Sequence, residues 1–253
     1  MRLAIWISLG FSAAVAADQL QLAMPVNLAA RVVAGPTWDG AVVLEPEGPG
    51  TARVTVEASL RGGLAGGGWG RCGTRPDHAA TTVEARLPLP QELARLEGAS
   101  PWATLLHTVV WVSTSVRADE GDPGPQDALS VLRRRVGRCS GRANLAVAIL
   151  RQLGVPARVV HGVLVRGQRV VWHRWGEAWV EGIGWRPFDP GTAVGVAGVR
   201  YLPMTGAGEG LPLDGVRVLS VAEWEFNHLP KLQGLRVAWP GGAFSLAARK
   251  GGL

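Results

Sequence analysis

The chain has 253 residues, of which 47% are hydrophobic, and its 26 Lys and Arg against 20 Asp and Glu give a formal net charge of +6 at pH 7. This length suits one large domain or two modest ones with a substantial hydrophobic core. No basic run interleaved with aromatic residues and no nucleic-acid-binding motif occurs, so nucleic acid is excluded as the expected partner. The charge suits anionic polymers or acidic substrates, although arginine-rich GC-biased coding is the favoured explanation.

Residues 1–17 predict a secretory signal peptide. Arg2 supplies the positive start, Leu3 to Val15 the apolar stretch, and the small residues up to Ala17 a cleavage site. This apolar stretch is too short to cross a bilayer, and no later segment is long enough to do so. We therefore expect a secreted, periplasmic or envelope protein without an integral membrane segment after cleavage.

Residues 18–95 predict a β-rich N-terminal region. The runs that alternate or are β-branched are RVVAG, AVVLEP, ARVTVEASL and TTVEARLPLP. Turn sequences such as GPTWDG and PEGPG separate them. The glycine-rich stretch 61–77 predicts a loop, and it lacks the GK[ST] signature of a phosphate-binding loop.

Residues 96–192 predict helices followed by strands. Ser100 is the expected N-cap of a first helix, and Asp127 caps a second helix that Gly137 ends. A third, apolar helix begins at Cys139 and closes at a Gly-x-Pro sequence. Three strands follow, with the sequences ARVVHGVLV, RVVWHRWGEAWV and WRPFDP, joined by tight turns.

The remaining residues, 193–253, form a Gly/Pro-rich C-terminal extension with weaker strand signals at GVRVLSV and GLRVAW. The predicted fold class is α+β. A helix bearing a cysteine packs on an antiparallel sheet, and a β-rich region precedes both.

Cys139 stands at the expected start of a helix, where unpaired backbone N–H groups stabilise a thiolate and can also bind an oxyanion. If EGIG closes a hairpin with Val180 opposite Gly184, Asp189 becomes a diagonal neighbour of His173 on one face. The carboxylate could then orient the imidazole while its other nitrogen faces the thiol. That arrangement is the Cys–His–Asp form of a nucleophilic triad.

The segments GRCSGRANLAVAILRQLGVPARVVHGVLV, HRWGEAWVEGIGW and FDP, in this order, resemble the bacterial transglutaminase-like superfamily over about residues 100–190. The resemblance implies a papain-like core with Cys139 as nucleophile, His173 as general base and acid, and Asp189 as the residue that orients the histidine. It also implies acyl transfer or hydrolysis at peptide or carboxamide bonds through a thioester, with a protein or peptide substrate and no cofactor. Hydrolysis and cross-linking to an amine both remain open.

Trp175 and Trp172 are the candidate substrate-binding residues, because four tryptophans crowd the predicted hairpin and Trp175 shares the face of His173. Cross-strand aromatic packing in the core is the alternative for these side chains. Arg138 and Arg142 flank the thiol and either support the thiolate or are solvated at the helix start.

Two alternatives to catalysis stay open. Cys72 and Cys139 could form a disulfide in an oxidising compartment, which would make the chain a stapled secreted module. Alternatively, the fold could persist as a catalytically inactive binding or scaffold module of the cell envelope.

A metal site is a further alternative, which depends on the register of the first predicted hairpin. If Val165 pairs with Arg169 across Gly167, His161 lies directly opposite His173. No ligand pair has the close spacing that marks a zinc site, however, so we expect no metal.

Overall fold

The computed structural model describes residues 17–36, 40–60, 90–205 and 211–240. The fold is α+β, as predicted, with two main sheets and a layer of helices. Residues 1–16 of the predicted signal peptide, the glycine-rich segment with Cys72, and the predicted strand up to residue 89 lie outside the described residues. Within those ranges, no helix has the length and apolar character needed to span a membrane.

The helices are α1 (Val26–Ala29), α2 (Gln91–Ala94), α3 (Pro101–Ser115), α4 (Ala128–Arg134) and α5 (Cys139–Gln152), with a short 3-10 helix at Phe226–His228. The strands are β1 (Asp18–Pro25), β2 (Gly35–Pro36), β3 (Gly40–Gly48), β4 (Thr51–Ala58), β5 (Arg117–Ala118), β6 (Val136–Gly137), β7 (Ala157–Arg166), β8 (Arg169–Val180), β9 (Gly184–Asp189), β10 (Ala193–Val194), β11 (Tyr201–Pro203), β12 (Arg217–Ala222), β13 (Lys231–Leu232) and β14 (Leu235–Val237).

The first sheet has the order β12-β1-β4-β3-β2, and all its neighbours are antiparallel. The runs AVVLEP and ARVTVEASL form β3 and β4, as predicted. The prediction for RVVAG is wrong, because α1 and a turn precede Val32, which makes only an isolated bridge to Met204. The C-terminal strand β12 completes the sheet by pairing with β1.

The second sheet has seven strands in the order β11-β7-β8-β9-β10-β14-β13. Its central hairpin, β7–β8, pairs Arg166 with Arg169 across a two-residue turn in which Gly167 has a φ of +62°. The three-residue turn considered from the sequence is therefore wrong. This shift of register places Gly162, and not His161, opposite His173.

The next hairpin, β8–β9, has the predicted register, with Val180 opposite Gly184. Its turn contains Gly182 at a φ of +77°, a backbone conformation that glycine adopts without strain. The register carries on to Gly176 opposite Phe188, which brings Asp189 to the level of Trp175. The register of this hairpin thus brings His173 and Asp189 close to each other along the two strands.

The predicted helix caps are confirmed. Ser100 Oγ accepts from the N–H of Ala103 at 3.2 Å, and Asp127 Oδ1 accepts from the N–H of Ser130 at 2.9 Å. Helix α4 ends earlier than Gly137, because Arg135 adopts a left-handed conformation with a φ of +55°. The residues after it leave the helix and pair in parallel with β5.

Two hydrophobic cores position the site. The first joins α3, α4 and α5 to the seven-stranded sheet, and α5 lies fully buried along its middle from Leu145 to Leu150. The second fills the space between the first sheet and the other end of β7 and β8. Because the C-terminal strands belong to both sheets, residues 193–205 and 211–240 add to the structure on both sides.

Candidate active site

Cys139 is the first residue of α5 and the only cysteine among the described residues, and its thiol is free and half-buried. The preceding residue, Arg138, has extended backbone and serves as the N-cap without a side-chain capping bond. The backbone N–H groups in the first turn of a helix have no acceptor within that helix, and they point out of its N-terminal end, where Cys139 lies. An oxyanion next to Cys139 would meet these donors.

Gln126 fixes the start of this helix, and sequence reasoning missed it. Its Oε1 accepts from the N–H of Arg138 at 2.8 Å. Its Nε2 donates to Asp122 at 2.8 Å and to the carbonyl of Gly124 at 2.7 Å. A Cβ on Gly141 would lie 2.4 Å from Gln126 Oε1, so the glycine is what allows the amide to approach. The amide donors of Gln126 are thus engaged with Asp122 and Gly124 and are not directed at the thiol.

His173 and Asp189 meet as the sequence geometry suggested. Nε2 of His173 lies 2.7 Å from Oδ2 of Asp189, and the two residues are only 5% and 8% exposed. The other carboxylate oxygen, Oδ1, accepts from the N–H of Gly191 at 2.7 Å. Oδ2 also accepts from the hydroxyl of Tyr201 at 2.8 Å.

The electrostatics of this pair favour a charged histidine. Burial lowers the pKa of His173, but hydrogen bonds to Asp189 and to Cys139 outweigh it and raise the pKa to about 9. Burial raises the pKa of Asp189, yet the hydrogen bond and charge of His173 bring it below its ordinary value. The three side chains therefore form a hydrogen-bonded series in which an imidazolium lies between a carboxylate and the thiol.

The two tryptophans predicted to bind substrate occupy other places. Trp175 is fully buried, with its ring stacked toward that of His173 at 6.3 Å, so it supports the imidazole and does not line a cleft. Trp172 lies on the opposite strand face, because neighbouring residues of a strand point to opposite sides. Its Nε1 donates to the carbonyl of Leu211 at 3.0 Å, and its ring packs in the core between the sheets. Both placements favour aromatic packing in the core, which was the alternative for these side chains.

The two arginines beside the thiol differ from each other. Arg142 is 8% exposed, and its Nη2 donates to the carbonyl of Pro190 at 2.8 Å. Burial lowers the pKa of Arg142, while the negative charges of Asp189, Glu120 and Cys139 act in the opposite direction. Arg142 therefore ties helix α5, which begins at Cys139, to the residue that follows Asp189. Arg138, in contrast, is exposed.

The register of β7 separates His161 from the site. His161 pairs with Arg174, so its side chain projects from the other face of the sheet than that of His173. Across the described ranges, no group of three His, Cys, Asp or Glu side chains is arranged to hold a metal ion. Glu177, which lies on the His173 face, is paired with Arg158 at 2.5 Å.

One family model matches part of the chain. Residues 94–190, less than half of the chain, match the family model described as Transglutaminase-like superfamily. Cys139, His173 and Asp189 all fall within the matched range, whereas Tyr201 lies beyond it. No curated protein matches the chain significantly.

Several solved structures are distantly similar. A cysteine protease candidate from Cytophaga hutchinsonii is 14% identical, with 83% of each chain covered and a TM-score of 0.41. The periplasmic domain of TgpA from Pseudomonas aeruginosa is 22% identical, with 55% of this chain and 53% of that chain covered and a TM-score of 0.37. Red sea bream transglutaminase is 10% identical, with 73% of this chain and 47% of that chain covered and a TM-score of 0.35. The chain thus spans about half the length of the last two.

Proposed function

We propose that this chain is a thiol-dependent enzyme that transfers or hydrolyses acyl groups at peptide or carboxamide bonds, a function supported by the match of residues 94–190 to the transglutaminase-like superfamily model. The observation that carries the proposal is the hydrogen-bonded series from Cys139 through His173 to Asp189 at the start of a buried helix. A structural cysteine has no need of a protonated histidine beside it, whereas a nucleophile does.

In the proposed first half-reaction, Sγ of Cys139 attacks the carbonyl carbon and the carbonyl π electrons move to oxygen. The N–H groups at the start of α5 stabilise that oxyanion. When the oxyanion collapses, the C–N bond breaks and Nδ1–H of His173 gives its proton to the departing amine. Asp189, bound to Nε2, keeps the ring in the orientation that this transfer needs. The product is a thioester on Cys139 and a free amine.

In the second half-reaction, His173 removes a proton from the attacking water or amine, and the thiolate leaves. Water gives a carboxylic acid and an amine gives a new amide, so the same site supports hydrolysis and cross-linking. The family resemblance in bacteria favours hydrolysis of a protein or peptide. The signal peptide predicted at residues 1–17 supports a substrate outside the cytoplasm as part of this proposal. The reaction requires no cofactor.

A small activated ester tests this proposal without knowledge of the natural substrate. The mature protein is incubated with p-nitrophenyl acetate, and peptide mass spectrometry follows acetylation of each residue. We expect one acetyl group on Cys139, formed about a hundredfold or more faster than in His173→Ala, because the histidine supplies the thiolate and the acid. Added cadaverine distinguishes the fates of the thioester, since acetylcadaverine appears only if an amine competes with water.

Cys139→Ala is the control, and it should lose the rapid burst of p-nitrophenol. An inactive envelope module predicts a different result, namely that Cys139 is acetylated no faster in the wild type than in His173→Ala. That result would refute the proposed enzyme.

A further inference from the structure

Tyr201 lies outside the family-matched region but reaches into the candidate site. It belongs to β11, at the edge of the seven-stranded sheet, where it pairs with Leu164 of β7. It is the only tyrosine in the 253 residues, and it is 4% exposed. No motif in the sequence points to it.

The contacts of Tyr201 converge on the histidine and its carboxylate. Its hydroxyl donates to Oδ2 of Asp189 at 2.8 Å, the same oxygen that lies 2.7 Å from Nε2 of His173. Its ring meets those of His173 and Trp175 edge-on, with centroid distances of 5.8 Å and 5.4 Å. The N–H of Gly191 holds the second carboxylate oxygen, so the carboxylate is fixed at both ends.

We propose that Tyr201 is a positioning residue of the site, whose hydroxyl holds the Asp189 carboxylate in the plane that receives Nε2–H of His173. Without Tyr201, the only donor left on Oδ2 would be the imidazole that the carboxylate has to orient, so the carboxylate and the imidazole could move together away from Cys139. The inference deepens the proposed thiol chemistry and rests on it. It adds a fourth polar side chain, contributed by a strand beyond the matched core.

The charges around Tyr201 keep its hydroxyl a donor. Burial and the negative charge of Asp189 raise the pKa of Tyr201 well above 10, while Thr192 and the positive charge of Arg166 act in the opposite direction. His173 on β8 also faces the ring. The phenol therefore keeps its proton throughout the pH range in which an imidazolium is present.

A double-mutant cycle tests the positioning role. The alkylation rate of Cys139 by iodoacetamide is measured against pH in the wild type, Tyr201→Phe, Asp189→Asn and the double variant. Tyr201→Phe keeps the ring and removes one hydrogen bond, so we expect alkylation at about pH 6 to slow about tenfold. In the Asp189→Asn background the same substitution should have no further effect, because Tyr201 acts through that carboxylate.

Two checks separate positioning from packing. Thr108→Val removes a hydroxyl that is buried in α3 and makes no hydrogen bond among the described residues, and it should leave the rate unchanged. Tyrosinate absorbance reports Tyr201 alone, since the chain has no other tyrosine. The phenol should resist ionisation beyond its usual pKa of about 10 in the wild type and ionise at lower pH in Asp189→Asn.

These experiments distinguish failure of the positioning role from failure of the proposed function. A wild-type Cys139 that alkylates slowly would refute the thiol chemistry, and the positioning role would be refuted with it. A fast wild-type thiol that Tyr201→Phe slows equally in both backgrounds would overturn the positioning role alone. Ionisation of Tyr201 near pH 10 in both the wild type and Asp189→Asn would show that the hydroxyl does not hold the carboxylate.

Discussion

Asp189 is a buried carboxylate that stays charged because it is fully supplied with donors. Burial alone would raise its pKa, but His173, Gly191 and Tyr201 all donate to it. The proton that would neutralise it is held instead on the imidazole. The cost of burying this charge is therefore balanced by hydrogen bonds that at the same time orient His173.

The raised pKa of His173 predicts how stability depends on pH. The folded state holds this proton up to about pH 9, whereas an unfolded histidine loses it near 6.5. The contribution to stability is thus complete below about pH 6.5 and is lost as the pH rises through about 9, by about 3 kcal/mol. Urea unfolding between these limits should show a decline in the free energy of unfolding that His173→Gln lacks. Parallel curves for the two proteins would contradict the raised pKa.

At the scale of elements, two adjacent residues serve the starts of two different helices. Gln126 binds the N–H of Arg138 at the start of α5, and Asp127 caps α4. Asp127→Ala should lower the free energy of unfolding by about 1 kcal/mol and leave Cys139 alkylation unchanged. Gln126→Ala should slow alkylation several-fold, because the helix start that supports the thiolate loses its anchor. Equal effects of the two variants on alkylation would refute this division.

Gly162 on β7 makes room for the residues behind the histidine. A Cβ at this position would lie 2.2 Å from the carbonyl oxygen of Leu202 and 2.7 Å from the ring of Trp175. Gly162→Ala should therefore lower the free energy of unfolding by about 2 kcal/mol and slow alkylation of Cys139, as the overpacked strand displaces the aromatic support. Gly121→Ala is the matched control, because its nearest neighbour would lie at an ordinary 3.5 Å. Thermal or urea unfolding would contradict the prediction if both variants were as stable as the wild type.

Local sequence signals predicted strand pairing correctly where the turn sequence allows only one loop length. The EGIG turn fixed the β8–β9 pairing and hence the meeting of His173 with Asp189. The turn at Gly167 was ambiguous, because a two-residue and a three-residue loop both suit its sequence, and the wrong choice placed His161 opposite His173. The alternation of side chains along β8 placed Trp175 on the same face as His173, but this pattern cannot tell which other elements cover that face. In the structure Trp175 is fully buried.

At the scale of the whole molecule, the first described strand is joined to a segment near the other end of the described chain. Asp18, the first residue of β1, accepts from the backbone N–H groups of Glu225 and Phe226, both at 2.8 Å, and is 1% exposed. The strand β12, which precedes these residues, pairs along β1. The predicted cleavage of the signal peptide would fall directly before this contact.

Asp18→Ala should destabilise the protein, because it leaves two buried N–H groups without acceptors. We expect a loss of about 2 kcal/mol in the free energy of unfolding, measured with urea. Asp18→Asn, which retains one acceptor oxygen, should lose less. The prediction fails if the alanine variant is as stable as the wild type.

Contacts between segments distant in the chain could not be predicted from the sequence. Tyr201 and β12 contact their partners through tertiary packing, and no local sequence motif around either of them indicates which residues they contact. Gln126 likewise acts on a helix twelve residues further along, with only its amide to mark it. The meeting of His173 with Asp189 could be predicted because the two residues lie on strands that follow one another in the chain.

The most direct measurement of the central claim is the rate at which iodoacetamide alkylates each cysteine of the unreduced mature protein, followed against pH by peptide mass spectrometry. The account predicts that Cys139 reacts rapidly at about pH 7 and far faster than Cys72, and that His173→Ala slows it. If Cys139 is unreactive, is linked to Cys72, or reacts equally fast without His173, the histidine does not activate a nucleophile and the proposed chemistry is wrong.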